Sequence, residues 1–390
     1  MLSGFLVVSL LDPEDYGLFT GVGVYMGYIL LGHGGIINGL SRELPYALGS
    51  GNDDEAKEMA SSVFFLSGLI SFIAGSIYFL FAFKYFVQGD QLTALIFLSY
   101  TIIGGLHLLR KQFLPVLYRT NKDFDSLSKQ NILTGLGNLL TVTLVWWFGI
   151  YGLIIRGVAL AVFEFYLLLK NKPYKLSFSK NLEHYKQLFK TGLPIFAVGH
   201  VNPLWATILN NFILSVGGPL NFGLYGISNI VQGAVGVIPS AFSQVIYPRM
   251  AIMLGQGKNV SFIIKSNVKP LFFQFSVMLS VAIIGAILLP IVIPVILPKY
   301  IEGVAAAQWM IFVPVVRSFG ALNNIYNVVK KQKWYFVSLV SGAIIGSLFI
   351  VWQFSKYSFY LEVFPQGLII GQSIQQILAL FFLQRIRGNA

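Results

Sequence analysis

The 390-residue chain contains no cysteine. That excludes a disulfide framework and any thiolate-held metal or iron–sulfur centre. Charge is also scarce, at 11% of residues, against the roughly 25% of ordinary soluble domains. Acids are scarcest, with 15 Asp and Glu against 27 Lys and Arg. They form neither paired carboxylates within the apolar stretches nor metal-ligand clusters with the four histidines. No Gly-x-x-x-x-Gly-Lys-Ser/Thr phosphate loop occurs, so no ATP motor of that kind is encoded. Nor is a cleavable signal peptide legible, because residues 2–11 lack a basic flank and a small-residue cleavage site. These absences argue against an enzyme and call for no cofactor.

What the sequence has in quantity is apolar residues, 56% of the chain, gathered into long runs. Residues 16–41, 59–83, 91–109, 131–155, 191–248, 270–298, 334–355 and 363–384 hold no Asp, Glu, Lys or Arg. Each reaches the roughly 18–20 residues that carry a helix across a bilayer. The longest must hold two crossings, with a turn at Gly217-Gly218-Pro219. The fold expected is an all-α polytopic membrane protein of about twelve transmembrane helices. Eleven are full crossings, near 16–41, 59–83, 91–112, 130–148, 150–169, 191–215, 223–247, 270–298, 304–329, 334–355 and 363–384. Residues 2–11, too short to span, read as the tail of a truncated first helix.

The net charge of +12 would suit nucleic acid, but its distribution does not. With the crossings above, 22 of the 27 cations fall on one side and three on the other. Arg156 and Arg317 fall inside helices. This asymmetry assigns the Lys/Arg-rich loops and the C-terminus to the cytoplasm, in a multi-pass protein of the cytoplasmic membrane. The basic surface then faces anionic membrane lipid, and no nucleic acid partner is expected.

Two stretches repeat each other. With a shift of 206, Pro13, Gly17 and Leu18 meet Pro219, Gly223 and Leu224. The same shift brings Leu48, Gly49 and Gly51 onto Leu254, Gly255 and Gly257. Six crossings separate the copies, so both face the same way, giving two six-helix bundles as a parallel repeat. The expected division is an N-terminal bundle over 1–169, a cytoplasmic amphipathic linker over 170–190, and a C-terminal bundle over 191–390. In the linker, Leu182, Tyr185, Leu188 and Phe189 take helical spacing, with Lys186 and Lys190 opposite.

The segments "LDPEDYGLF", "SRELPYALGSGNDDEA", "LFKTGLP" and "GLYGISNIVQGAVGVIPSAFSQVIYPRMA" resemble the Wzx-like polysaccharide or O-antigen flippases. These belong to the MOP superfamily, together with the MATE exporters and the lipid II flippase. The resemblance implies two helical bundles, alternating access, and a polyprenyl-diphosphate-linked oligosaccharide as cargo for cell-surface polysaccharide biosynthesis. A polysaccharide polymerase and glycosyltransferases are further partners in that reading. The alternative is a MATE-like cation-coupled exporter of small organic molecules, which requires acids facing the passage.

Three charges lie inside expected crossings away from their ends, where each costs roughly 2.5–3.5 kcal/mol on insertion scales. Arg317 is the first choice for gripping a diphosphate, because a guanidinium keeps its charge and binds phosphate at two points. Its structural alternative is an ion pair with Glu164, the one acid in these crossings. Arg156 is a second phosphate candidate, or a residue that snorkels to the interface. Glu164 and Arg156 are eight residues apart on one helix, about 80° around it, and are not expected to pair. Asn210, Asn211, Asn229, Gln232, Asn323 and Asn324 offer paired donors and acceptors to sugar hydroxyls, or glue between helices. His200, like His33 and His107, could relay a proton or stay neutral and hydrogen-bonded.

Overall fold

A computed structural model of the chain describes residues 2–177, 179–329 and 331–388. Every regular element among them is helical. Eight are long and apolar enough to cross a membrane: Asp53–Val87, Gln91–Thr120, Val142–Lys170, Leu182–Ser243, Val260–Ile296, Pro298–Asn327, Gln332–Phe354 and Val363–Arg385. Two of them double back. Gly149, at φ 54° and ψ −128°, turns the chain inside Val142–Lys170. Gly218, at φ 73° and ψ 178°, does so inside Leu182–Gly255. Both conformations are open to glycine and strained for other residues. The two turns fall at the expected boundaries, after residue 148 and within Gly217-Gly218-Pro219. With Phe124–Leu140, the segment 13–49 and the leading helix Leu2–Leu10, the path follows the expected order of crossings.

At least four expected crossings are not single helices: 91–112 breaks after Gly105, 130–148 breaks at Thr141, and two more are divided further. The segment over 16–41 is divided into Pro13–Gly23, Met26–Ile29 and Ile36–Gly49. Its break contains Gly34 and Gly35, both at positive φ. The segment over 304–329 begins with a 3-10 turn at Pro298 and is interrupted again near its middle.

By contacts the chain forms two compact units, Leu2–Asn211 and Phe212–Ala390. The first therefore runs past the expected boundary and takes in the helix that begins at Leu182. Glycine explains the attachment. A Cβ on Gly192 would lie 2.0 Å from the Gly35 carbonyl oxygen, and one on Gly39 would lie 2.0 Å from that of Leu188. The backbones touch, as at small-residue crossings in membranes.

The amphipathic segment is built differently from its pattern. Residues 171–177 form no helix, and Tyr174 joins the apolar core of the first unit. Within 182–190, Leu188 is fully buried, and the Tyr185 hydroxyl donates to the Ser62 carbonyl. Leu182 and Phe189 face outward, at 71% and 43% exposure.

The second unit packs Gln332–Phe354 against Val363–Gly388. Gly342 sits so close that its Cβ would come within 2.3 Å of the Gly371 carbonyl oxygen. Its apolar cores gather the 260–296 helix around Ala321, Leu322, Ile325 and Tyr326, and around Ile311 and Val315.

The repeat has a local structural counterpart. Pro13 begins a helix, and Pro219 follows the Gly218 turn. Gly51 and Gly257 end the paired helices at φ 77° and 75°. Just beyond, Asn52 caps the backbone N–H of Glu55, and Asn259 caps that of Phe262.

Candidate functional site

Within the second unit, the chain leaves α-helical geometry beside its most interior charge. Pro314 lacks an N–H and begins the short helix Val313–Arg317, which passes into a 3-10 helix over Ser318–Asn324. Arg317 sits at the junction, partly buried. Its Nε donates to the Gln372 Oε1 at 2.8 Å. Gln372 is fully buried, and its Nε2 has no hydrogen-bond partner among the described residues.

Six residues on, Asn323 continues the polar seam. Its Nδ2 donates to the Gln376 Oε1 at 2.9 Å, while its Oδ1 is buried without a partner among the described residues. Tyr335 lies within the electrostatic reach of Arg317. Tyr326 stacks on Tyr335 at 5.5 Å and donates its hydroxyl to the Ala379 carbonyl. On the 260–296 helix, Gln274 is fully buried with both amide ends unpartnered among the described residues. In sequence it lies between Leu271, which shares an apolar cluster with Leu322, and Met278, which shares one with Val315. Buried amides without partners are costly, about 1–3 kcal/mol each, and mark places where a ligand or water completes the bonding.

The charge balance is one-sided. Residues 212–390 contain two acids, Glu302 and Glu362. Glu302 lies in the 3-10 turn Pro298–Gly303, and Glu362 just before the helix Val363–Gly388. Among the described residues Arg317 makes no ion pair. It is a cation held by an amide.

The first unit treats its charges differently. Glu164 accepts from the Arg110 Nη1 at 2.6 Å and from the Lys111 Nζ at 2.5 Å. Its partner is therefore neither Arg317 nor Arg156. Arg110 and Lys111 were expected at a membrane boundary. The helix instead continues to Thr120 through a π-turn over Leu109–Phe113, which leaves the Arg110 side chain 10% exposed. Arg156 donates to the Asn138 side-chain oxygen at 3.1 Å and to its carbonyl at 3.3 Å.

The remaining candidates are scattered. The Asn211 amide donates to the Tyr28 hydroxyl at 3.4 Å, and that of Asn324 to the Ser243 hydroxyl at 2.8 Å. Asn210, Asn229 and Gln232 are half-buried and carry no side-chain hydrogen bond among the described residues. His200 bonds the Phe196 carbonyl through Nδ1 at 3.0 Å, stacks on that ring, and stands edge-on to His33 at 5.8 Å. Of the candidates in the second unit, Arg317 and Asn323 thus share one polar seam. The sequence reading missed Gln372, Gln376, Gln274 and Tyr335. Amides at "GQSIQQIL" inside an apolar run were the available signal for the first two.

The profile of a family described as polysaccharide biosynthesis protein matches residues 6–297. No curated protein matches the chain. Among solved structures, an inward-facing multidrug resistance MATE family transporter of the MOP superfamily is similar, with 16% identity and a TM-score of 0.81. That match covers 100% of this chain and 94% of the other. A MATE structure in the bent conformation is similar at 15% identity and a TM-score of 0.65, covering 100% and 91%. An outward-facing MATE family transporter matches at 15% identity and a TM-score of 0.53, covering 100% and 94%. At these identities the likeness is one of fold alone.

Proposed function

The chain belongs to the polysaccharide biosynthesis protein family, and from that premise we propose that it moves a polyprenyl-diphosphate-linked oligosaccharide across the cytoplasmic membrane by alternating access. Family and fold are those of multi-pass membrane transporters. The cargo is the further step, and one observation carries it. Arg317 holds a permanent positive charge inside a unit whose two acids lie in peripheral turns. Its Nε is fixed by Gln372, which leaves both terminal nitrogens for another acceptor. A diphosphate is the lipid-linked group that such a fork suits. Around it, Asn323 and Gln376 supply donors and acceptors of the kind that sugar hydroxyls need. In this reading the prenyl chain stays in lipid, and the Lys/Arg-rich loops and the C-terminus face the cytoplasm. A polymerase and glycosyltransferases would act on either side of the transport step.

The MATE likeness raises the exporter of organic cations as the other reading. Such cargo calls for a carboxylate at the site, and Glu164 is already engaged by Arg110 and Lys111. The test replaces Arg317 with Ala and Lys in a host lacking its own flippase, with surface glycan measured at equal membrane expression. The expected result is loss of glycan with R317A and partial recovery with R317K. Normal glycan with R317A would sink the reading. Resistance to cationic dyes without glycan rescue by the unaltered chain would favour the exporter.

A further inference from the structure

The two units carry the same interaction with different charge. The caps Asn52 and Asn259 mark equivalent points of the repeat. Arg110 lies 58 residues after the first (110 − 52), and Arg317 lies 58 after the second (317 − 259). Their helices span Gln91–Thr120 and Pro298–Asn327, so both ends are offset by the same 207 residues. Each arginine then reaches an acceptor on a later helix of its own unit, Glu164 on Val142–Lys170 at a separation of 54 residues and Gln372 on Val363–Gly388 at 55. A tyrosine locks each pair of helices beyond it: the Tyr118 hydroxyl donates to the Leu168 carbonyl, and that of Tyr326 to the Ala379 carbonyl. Even the backbone departs from α-geometry at the same place, as a π-turn in one copy and a 3-10 turn in the other.

The difference lies in the acceptor. Glu164 and Gln372 offer an oxygen of nearly the same shape, but only the carboxylate cancels the guanidinium charge. We propose that Gln372 is a positioning residue that sets the charge of the cargo site: it orients Arg317 without neutralising it, and so selects an anionic group over a cationic one. This deepens the transport reading above and rests on it. In the first unit the same arginine is neutralised and serves the fold. In the second, a neutral amide keeps the charge available at a fixed angle, and a bound phosphate oxygen then completes what the carboxylate supplies in the other copy.

The experiment uses the full-length chain in nanodiscs, with inorganic pyrophosphate as probe and thermal unfolding as readout, beside glycan export in cells. Q372E should unfold no earlier than the unaltered protein, because it rebuilds the ion pair seen at Arg110. Its pyrophosphate affinity should fall by about tenfold or more, the loss expected for displacing a charge-assisted bond, and glycan export should fall with it. Q372L removes the anchor but not the charge, and should keep more pyrophosphate binding than Q372E. Q372E binding and exporting normally while R317A does neither would overturn the role of Gln372 and leave the transport reading standing. Equal loss in Q372L and Q372E would overturn it too, by showing that shape alone matters. Normal binding and export by R317A would instead remove the premise.

Discussion

Replacing Glu164 with Gln would make the first unit copy the second. Arg110 approaches Glu164 at 2.6 Å, and their side chains are 10% and 14% exposed. Two unit charges about 4 Å apart attract by about 4 kcal/mol at an effective dielectric of 20. Part of that is offset by the cost of burying the carboxylate, which the amide avoids. Gln also keeps one hydrogen bond to Arg110, as Gln372 does to Arg317. Lys111 is 44% exposed and can turn to water, so its share is small. The expected loss for E164Q is therefore about 2–3 kcal/mol, below the 3–5 typical of stripping one partner from a buried pair. E164L, which leaves no acceptor, should reach that higher range. Adding R110M to E164L removes the stranded charge and should return stability to within about 1 kcal/mol of the unaltered protein. Thermal unfolding in detergent, followed by tryptophan fluorescence, measures all four. E164Q as stable as the unaltered chain, or E164L/R110M no better than E164L, would refute the claim that this cluster is a neutralised pair holding two helices together.

Two further predictions test the fold that presents the site. G192V pushes a branched side chain into the backbone of Gly35 and Gly39, where a Cβ already meets atoms at 2.0 and 2.5 Å. It should cost at least the 1–3 kcal/mol of ordinary overpacking, seen as early unfolding and as new protease cleavage near residues 171–181. G218A has room for its methyl group but not the conformation, φ 73° with ψ 178°. It should lose about 1–3 kcal/mol, and a proline at 217 should not rescue it, because the strain sits at 218.

Much of the path was legible because a membrane allows few solutions. Charge-free runs of helical length fix where crossings lie, and a wrong count would have scrambled the split of cations. The turns at Gly149 and Gly218 could be read for the same reason, since two crossings packed into one run need a tight reversal. The irregular helices were not legible. Nothing in "MIFVPVVRSFGALNNIY" beyond Pro314 announces that α-geometry gives way to a 3-10 turn after Arg317. The partner of Glu164 was missed because Arg110 and Lys111 end a charge-free run, and charges there ordinarily belong to the interface. The helix carries them on to Thr120. Gln372 was missed for a related reason: an amide in an apolar run looks like glue, and only its contact to Arg317 gives it a role.

That contact also says which half of a duplicated architecture to expect the chemistry in. The repeat supplies both copies with an arginine at the same register, beside a departure from α-geometry, bonded to a later helix of its own unit. A buried guanidinium must be answered by something, because leaving it bare in a low-dielectric interior costs several kcal/mol. One copy answers with a carboxylate. The other answers with an amide, which satisfies the hydrogen bond and leaves the charge. A protein retains an uncancelled charge at such cost where a ligand of opposite sign repays it on binding. In the proposed reading, the asymmetry between Glu164 and Gln372, more than the presence of either arginine, directs an anion to the second unit.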